Sequence, residues 1–117
     1  MFKDVIKLKF NKMAITKKYL SDNEICRVTF TLPPGLSKNA KSANVVGDFN
    51  NWDLNAHPML RRKNGHFALS VELPAGKEYQ FRYLIDGDIW ETDLKADDLA
   101  ATNFPDQQNS VLNLKIR

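Results

Sequence analysis

From Glu24 onward, apolar and polar positions alternate with a period of two. Cys26, Val28, Phe30 and Leu32 fall on one side and Arg27, Thr29 and Thr31 on the other, as in a strand with one buried face. Pro33-Pro34-Gly35 ends the run, because proline has no N–H to offer a ladder. Polar residues 37–42 read as a loop. A second strand covers 43–49 and closes in the turn Asn50-Asn51-Trp52-Asp53. A short third strand over 58–62 leads to Asn64-Gly65, a hairpin signal since both residues tolerate positive φ. Phe67, Leu69, Val71 and Leu73 then alternate with Ala68, Ser70 and Glu72. After Pro74-Ala75-Gly76, an inward face of Tyr79, Phe81, Tyr83 and Ile85 opposes Gln80, Arg82 and Leu84. Asp86-Gly87-Asp88 turns the chain into 89–92, and 110–116 closes it with Leu112, Leu114 and Ile116 on one face.

Two stretches resist this period. Residues 93–108 are rich in Asp, Ala and Asn and contain Pro105, so they read as a long irregular segment with a helical turn near 94–100. A loop of that length in a compact domain usually has a task. Residues 1–20 are ambiguous: Ile6-Lys7-Leu8-Lys9-Phe10 alternates like a strand, while Phe2, Val5, Ile6 and Met13 fit a helix face. Met13 opens a second plausible start, so the first twelve residues are expected to be dispensable. The expected organisation is a basic N-terminal extension over 1–20 and one globular domain over 21–117. About seven short strands, spaced by turns every roughly 8–12 residues, predict an all-β sandwich.

The chain of 117 residues carries a net charge of +3 with a pI near 9.0. Six lysines and one acid lie in residues 1–20, which leaves eleven basic and thirteen acidic residues beyond. The globular part is therefore slightly acidic, and the basic balance is no argument for nucleic acid. No apolar run approaches the roughly 18–20 residues of a membrane span, no secretory signal pattern is evident, and Phe2 excludes the glycine that myristoylation needs. The single Cys26 shares the phase of Val28 and Phe30, so it reads as a small buried apolar residue. One cysteine forms no internal disulfide and fits a reducing, cytoplasmic location.

Catalysis is not expected. His57 and His66 each lie beside a turn without a partner at metal-site spacing. Val46-Gly47-Asp48 lacks the Lys-Ser/Thr sequel of a phosphate loop. Asp86-Gly87-Asp88 and Asp97-Asp98 are explained by turn chemistry, without calcium-loop spacing. No metal and no cofactor is implied.

The two tryptophans stand out because each follows a strand-ending turn: Trp52 after Phe49-Asn50-Asn51, and Trp90 after Asp86-Gly87. In a wet Asn/Asp turn, Trp52 is expected to be exposed. A sugar ring presents an apolar C–H face that stacks on a flat aromatic, while its hydroxyls need planar polar partners. Arg82, on the face opposite the core, is such a donor fork.

The stretch Val45-Val46-Gly47-Asp48-Phe49-Asn50-Asn51-Trp52 resembles the signature of carbohydrate-binding module family 48, the glycogen-binding, isoamylase N-terminal type. That family includes the β subunits of AMP-activated protein kinase and the N-terminal domains of glycogen branching and debranching enzymes. The resemblance runs on through Met59, Asn64-Gly65, Phe67, Leu73-Pro74-Ala75-Gly76, the stretch from Tyr79 to Gly87, Trp90 and Asn109-Ser110-Val111. It implies an early-set immunoglobulin-like sandwich that binds α-glucan of the glycogen or starch type without catalysis. By resemblance, Trp52 and Trp90 are stacking surfaces and Arg82 a hydroxyl donor. Gln108, with Asn109 beside it, matches a sugar-contacting Asn, and Phe104 matches a bulky loop residue that inserts against the oligosaccharide. The implied partners are the glucan itself and a glycogen-metabolising enzyme or kinase. The rival reading is a protein-interaction or regulatory module of the same fold that has lost sugar binding, with 93–108 and the basic leader as its surfaces. Fold resemblance does not decide between them.

Overall fold

The computed structural model describes residues 14–32 and 40–116. Within them the chain forms β1 (Ala14–Tyr19), β2 (Ile25–Leu32), β3 (Ala43–Gly47), a 3-10 turn (Asp48–Asn50), β4 (Leu60–Arg61), β5 (Phe67–Pro74), β6 (Glu78–Ile85), β7 (Ile89–Glu91), β8 (Asp98–Ala101) and β9 (Gln108–Asn113). One antiparallel sheet has the order β1-β2-β5-β4. The other has the order β3-β6-β9-β8, with β7 also paired to β6. Together they make the β-sandwich that the alternation predicts, of the immunoglobulin-like type that the family resemblance implies.

The core lies between the sheets. Cys26, Val28, Phe30 and Leu32 of β2 and Phe67 and Leu73 of β5 meet Val45 of β3, Tyr79, Phe81, Tyr83 and Ile85 of β6, and Leu112 of β9. Phe30 sits at its centre, edge-on to Phe81 at 5.1 Å and stacked with Phe49 at 5.9 Å. Aromatic pairs of this geometry add about 0.5–1.5 kcal/mol each beyond their burial.

β6 organises the second sheet because its neighbour on one side changes midway. Residues 78–81 pair with β9, whereas 83–85 pair with β7. The three-residue β6–β7 connection, 86–88, has Asp86 at φ 53° and Gly87 at φ 78°, a left-handed pair closed by the Asp88 N–H on the Ile85 carbonyl at 3.1 Å. It folds β7 back so that Trp90 stands opposite Leu84. Below the change of partner, Asp93 is fully buried. Its carboxylate accepts a hydrogen bond from the Tyr83 hydroxyl at 2.9 Å and another from the Lys95 N–H at 2.9 Å. Its own N–H donates to Ser110 Oγ at 2.7 Å.

Four expectations change. Residues 14–19, assigned from sequence to a basic extension, form the edge strand of the first sheet and pair with β2 from Ala14–Thr31 to Tyr19–Cys26. Ile15 and Tyr19 pack on the core, and Lys17, on the same face, reaches across to Asp97 Oδ2 at 2.7 Å and the Asn113 carbonyl at 3.0 Å. The helical turn expected near 94–100 is absent from the described residues. Its second half is β8, paired with β9 from Asp98–Val111 to Ala101–Gln108, so the described residues hold nine strands rather than about seven. The strand expected over 43–49 stops at Gly47, where the 3-10 turn begins. The final strand starts two residues early, at Gln108, and ends at Asn113. The readings made on residues 1–13, including the dispensability of the first twelve, and the Pro33-Pro34-Gly35 stop lie outside the described residues.

No helix among the described residues is long and apolar enough to cross a membrane. Also among them, no cluster of three or more His, Cys, Asp or Glu side chains is placed to hold a metal ion. Cys26 is free and buried.

Candidate functional site

The turn that carries Trp52 is built residue by residue. Gly47 lies so close to β6 that a Cβ there would stand 2.7 Å from Phe81 Cβ and against the Gln80 carbonyl. Asp48 follows and uses both carboxylate oxygens: Oδ2 accepts the Gln80 N–H at 2.7 Å, and Oδ1 accepts the Trp52 Nε1–H at 3.0 Å. Phe49 packs its ring on Phe30 and edge-on to Tyr79 and His57, which anchors the turn to the core. Asn50 locks it from the side. Its Oδ1 accepts the Gly47 N–H at 3.0 Å, and its Nδ2 donates to the Val45 carbonyl at 3.0 Å and to His57 Nδ1 at 2.8 Å. With both amide hydrogens used, the ring proton of His57 sits on Nε2. Asn51 and Trp52 are both left-handed, at φ 57° and 59°, and the Trp52 N–H closes the turn on the Gly47 carbonyl at 2.9 Å. Asn tolerates that region; a tryptophan does so at a cost of about 1–3 kcal/mol, the kind of strain that collects at binding sites.

The second element is the outer face of β6 and β7. Arg82 lies where β6 changes partner. Its guanidinium sits over the Trp90 ring, 5.5 Å from the centroid, and its Nη1 donates to Gln107 Oε1 at 3.0 Å. Its Nε is buried and has no hydrogen-bond partner. Burial pulls the guanidinium below its ordinary pKa, with Glu91 opposing that shift. Leu84, the cross-strand partner of Trp90, is buried, whereas Trp90 remains 38% exposed.

The third element is the β8–β9 loop. Thr102 Oγ accepts the Phe104 N–H at 3.0 Å and lies 3.1 Å from the Phe104 carbonyl and 2.9 Å from that of Gln107. These bonds hold Phe104 out at the tip, 65% exposed. At the loop's far end, Asn109 Nδ2 donates to Gln80 Oε1 at 3.0 Å. The three elements enclose a cleft of about 350 Å³ lined by Trp52, Arg82, Trp90, Thr102, Phe104, Gln107 and Asn109.

The family model for carbohydrate-binding module 48 (isoamylase N-terminal domain) matches residues 27–100, well over half of the chain. The chain belongs to the carbohydrate-binding module 48 family. Among similar proteins, the 1,4-alpha-glucan branching enzyme GlgB of Pseudomonas putida is 47% identical over 70 residues, covering 57% of this chain and 9% of that enzyme. GlgB of Nitrobacter winogradskyi is 42% identical over 67 residues, covering 56% of this chain and 9% of the enzyme. The chain thus spans about a tenth of the length of these relatives. The crystal structure of the enterobactin esterase FES from Shigella flexneri superposes with a TM-score of 0.67 over 92% of this chain and 34% of that one. At 12% identity this likeness shows the fold alone.

In this carbohydrate-binding module 48 chain, the cleft brings together five of the six residues singled out from sequence: Trp52, Arg82, Trp90, Phe104 and Asn109. Gln108 is not among the lining residues. It is the first residue of β9, paired with Ala101, and its carbonyl accepts the Thr92 hydroxyl at 2.7 Å. The glutamine that lines the cleft, beside Asn109, is Gln107, one residue earlier, where the chain is still loop. Thr102 is also new; nothing in its composition marks it, and only its place at the end of β8 brings it to the cleft. Trp52, expected exposed, is half-buried. The family match contains Trp52, Arg82 and Trp90 but stops at Ala100, so the loop wall of the cleft lies outside it.

Proposed function

We propose that this module binds α-glucan of the glycogen or starch type in the cleft and performs no chemistry on it. The observation that carries this reading is the convergence of Trp52, Trp90 and Arg82 on one cleft of about 350 Å³. Indole faces receive the C–H faces of glucose rings, while Gln107, Asn109 and Arg82 offer planar groups to the hydroxyls. The buried, unpartnered Nε–H of Arg82 supports the same reading, since a buried donor left unmade costs about 1–3 kcal/mol and a sugar oxygen would satisfy it. The relatives are branching enzymes of which the match covers 9%, so a glycogen-metabolising enzyme is the companion this reading implies.

Native electrophoresis in gels containing glycogen tests it. Wild type is expected to be retarded. Trp52→Ala is expected to lose about 2 kcal/mol or more of binding, the size of a hot-spot truncation, and to migrate almost freely. Wild type that runs unretarded overturns the reading in favour of a protein-interaction module.

A further inference from the structure

We propose that Asp48 is a positioning residue for glucan binding: it fixes the Trp52 ring and couples the two walls of the cleft through β6. The inference rests on the glucan-binding reading above. Antiparallel pairing of β3 with β6 ends at Gly47–Phe81. One step on, the Asp48 side chain replaces the missing rung, with Oδ2 taking the Gln80 N–H at 2.7 Å. Its other oxygen holds the Trp52 Nε1–H at 3.0 Å. Gln80 in turn accepts the Asn109 amide at 3.0 Å through its own side chain. A continuous path therefore runs from Trp52 on one wall through Asp48 and Gln80 to Asn109 on the other.

The geometry requires a carboxylate. Both groups that reach Asp48 are donors, and an ionised carboxylate is acceptor-only on both oxygens. An asparagine offers one acceptor and turns a second donor against either the indole N–H or the Gln80 N–H. Bonds to an ionised acceptor are also roughly twice as strong as neutral ones. Without this clamp, the backbone still places Trp52, but its ring must be immobilised when the ligand arrives. That cost corresponds to about a three- to tenfold loss of affinity for one side chain. Asp48 touches no ligand in this scheme; it is not among the lining residues of the cleft. Its effect passes through the orientation of Trp52.

The test combines glycogen affinity with the two tryptophan indole N–H resonances in 15N spectra, assigned with Trp52→Phe. In Asp48→Asn the Trp52 indole resonance is expected to shift and to exchange faster with water, while that of Trp90 stays in place. Glycogen affinity is expected to fall about three- to tenfold. Asp48→Glu, which keeps two acceptor oxygens on a longer arm, is expected to recover part of both. If Asp48→Asn proves too unstable to titrate, the comparison of Asp48→Glu with wild type carries the same expectation at smaller size. An unmoved Trp52 resonance, or a moved resonance with unchanged affinity, overturns the role of Asp48 alone. Wild type that binds no glycogen overturns the function and the role together, while the indole resonances still report whether the clamp exists.

Discussion

At the scale of single residues, the turn from Gly47 to Trp52 gives each side chain a separate physical duty. Gly47 is there for contact distance: its backbone is extended, so the constraint is the absence of a Cβ against Gln80 and Phe81. Gly47→Ala is expected to push β3 off β6 and destabilise the fold by about 1–3 kcal/mol, the usual cost of overpacking. A urea titration would read this as a lowered midpoint with unchanged slope, and glycogen affinity should fall with it because Asp48 loses its hold on Gln80. The sequence made this turn conspicuous, since a tryptophan in an Asn-rich turn is unusual. It did not reveal how Trp52 is oriented, because that depends on a carboxylate reaching a strand 32 positions away. Arg82 was legible from alternation alone, and Gln107 was not. A one-residue choice between Gln107 and Gln108 turns on where the β9 ladder begins, and the Asn/Gln-rich run 107–109 has no apolar phase to mark it.

At the scale of elements, the strands whose bounds were most legible are those with several apolar residues on one phase: β2, β5 and β6. β1 and β8 were missed for opposite reasons. In β1 the middle inward position is Lys17, so a strand whose ends pack on the core reads as a basic run. An inward-pointing lysine is also a known way to protect a sheet edge from pairing with another chain. Asp98-Leu99-Ala100-Ala101 has no β-branched residue and is a strand only because β9 lies beside it. A chain beginning at Leu20 is expected to lose about 1.5–3 kcal/mol, the burial of Ile15 and Tyr19 at half of their full value. A chain beginning at Met13 keeps β1 and is expected to melt near the full-length temperature. Lys17→Met should cost no more than about 1 kcal/mol, since the ion pair with Asp97 is partly solvated. Thermal melts of the three proteins side by side separate the strand from its ion pair.

At the scale of the whole molecule, the buried Tyr83–Asp93–Ser110 group gives global stability a dependence on pH. Burial pushes the Asp93 carboxyl above its ordinary range, and Asp97 adds to the shift, against the downward pull of the Lys95 N–H and the Tyr83 hydroxyl. The folded chain then holds this proton more tightly than the unfolded chain does. Stability gained from this site appears as pH falls through the raised value and is complete once the unfolded carboxyl, near 3.9, is also protonated. Asp93→Asn keeps the Lys95 bond, lets Tyr83 accept instead of donate, and carries no ionisation. Its stability at neutral pH is expected to lie within about 1 kcal/mol of wild type. Urea midpoints measured from pH 7 down to pH 4.5 should shift in favour of wild type relative to Asp93→Asn; a constant difference would show that Asp93 ionises normally.

The two walls of the cleft differ in one further respect. The Trp52 wall is tied into the sandwich by Gly47, Asp48, Phe49 and Asn50, and a change in its length would break all four ties. The opposite wall is the tip over 102–107, a hairpin loop that springs from the Ala101–Gln108 pair and contributes Thr102, Phe104 and Gln107. Hairpin tips accept insertions and deletions at little thermodynamic cost. Protein engineering therefore has an exchangeable part here, opposite one held by four ties: grafting a different tip between Ala101 and Gln108 is expected to change the shape of the cleft while leaving the scaffold that presents it intact.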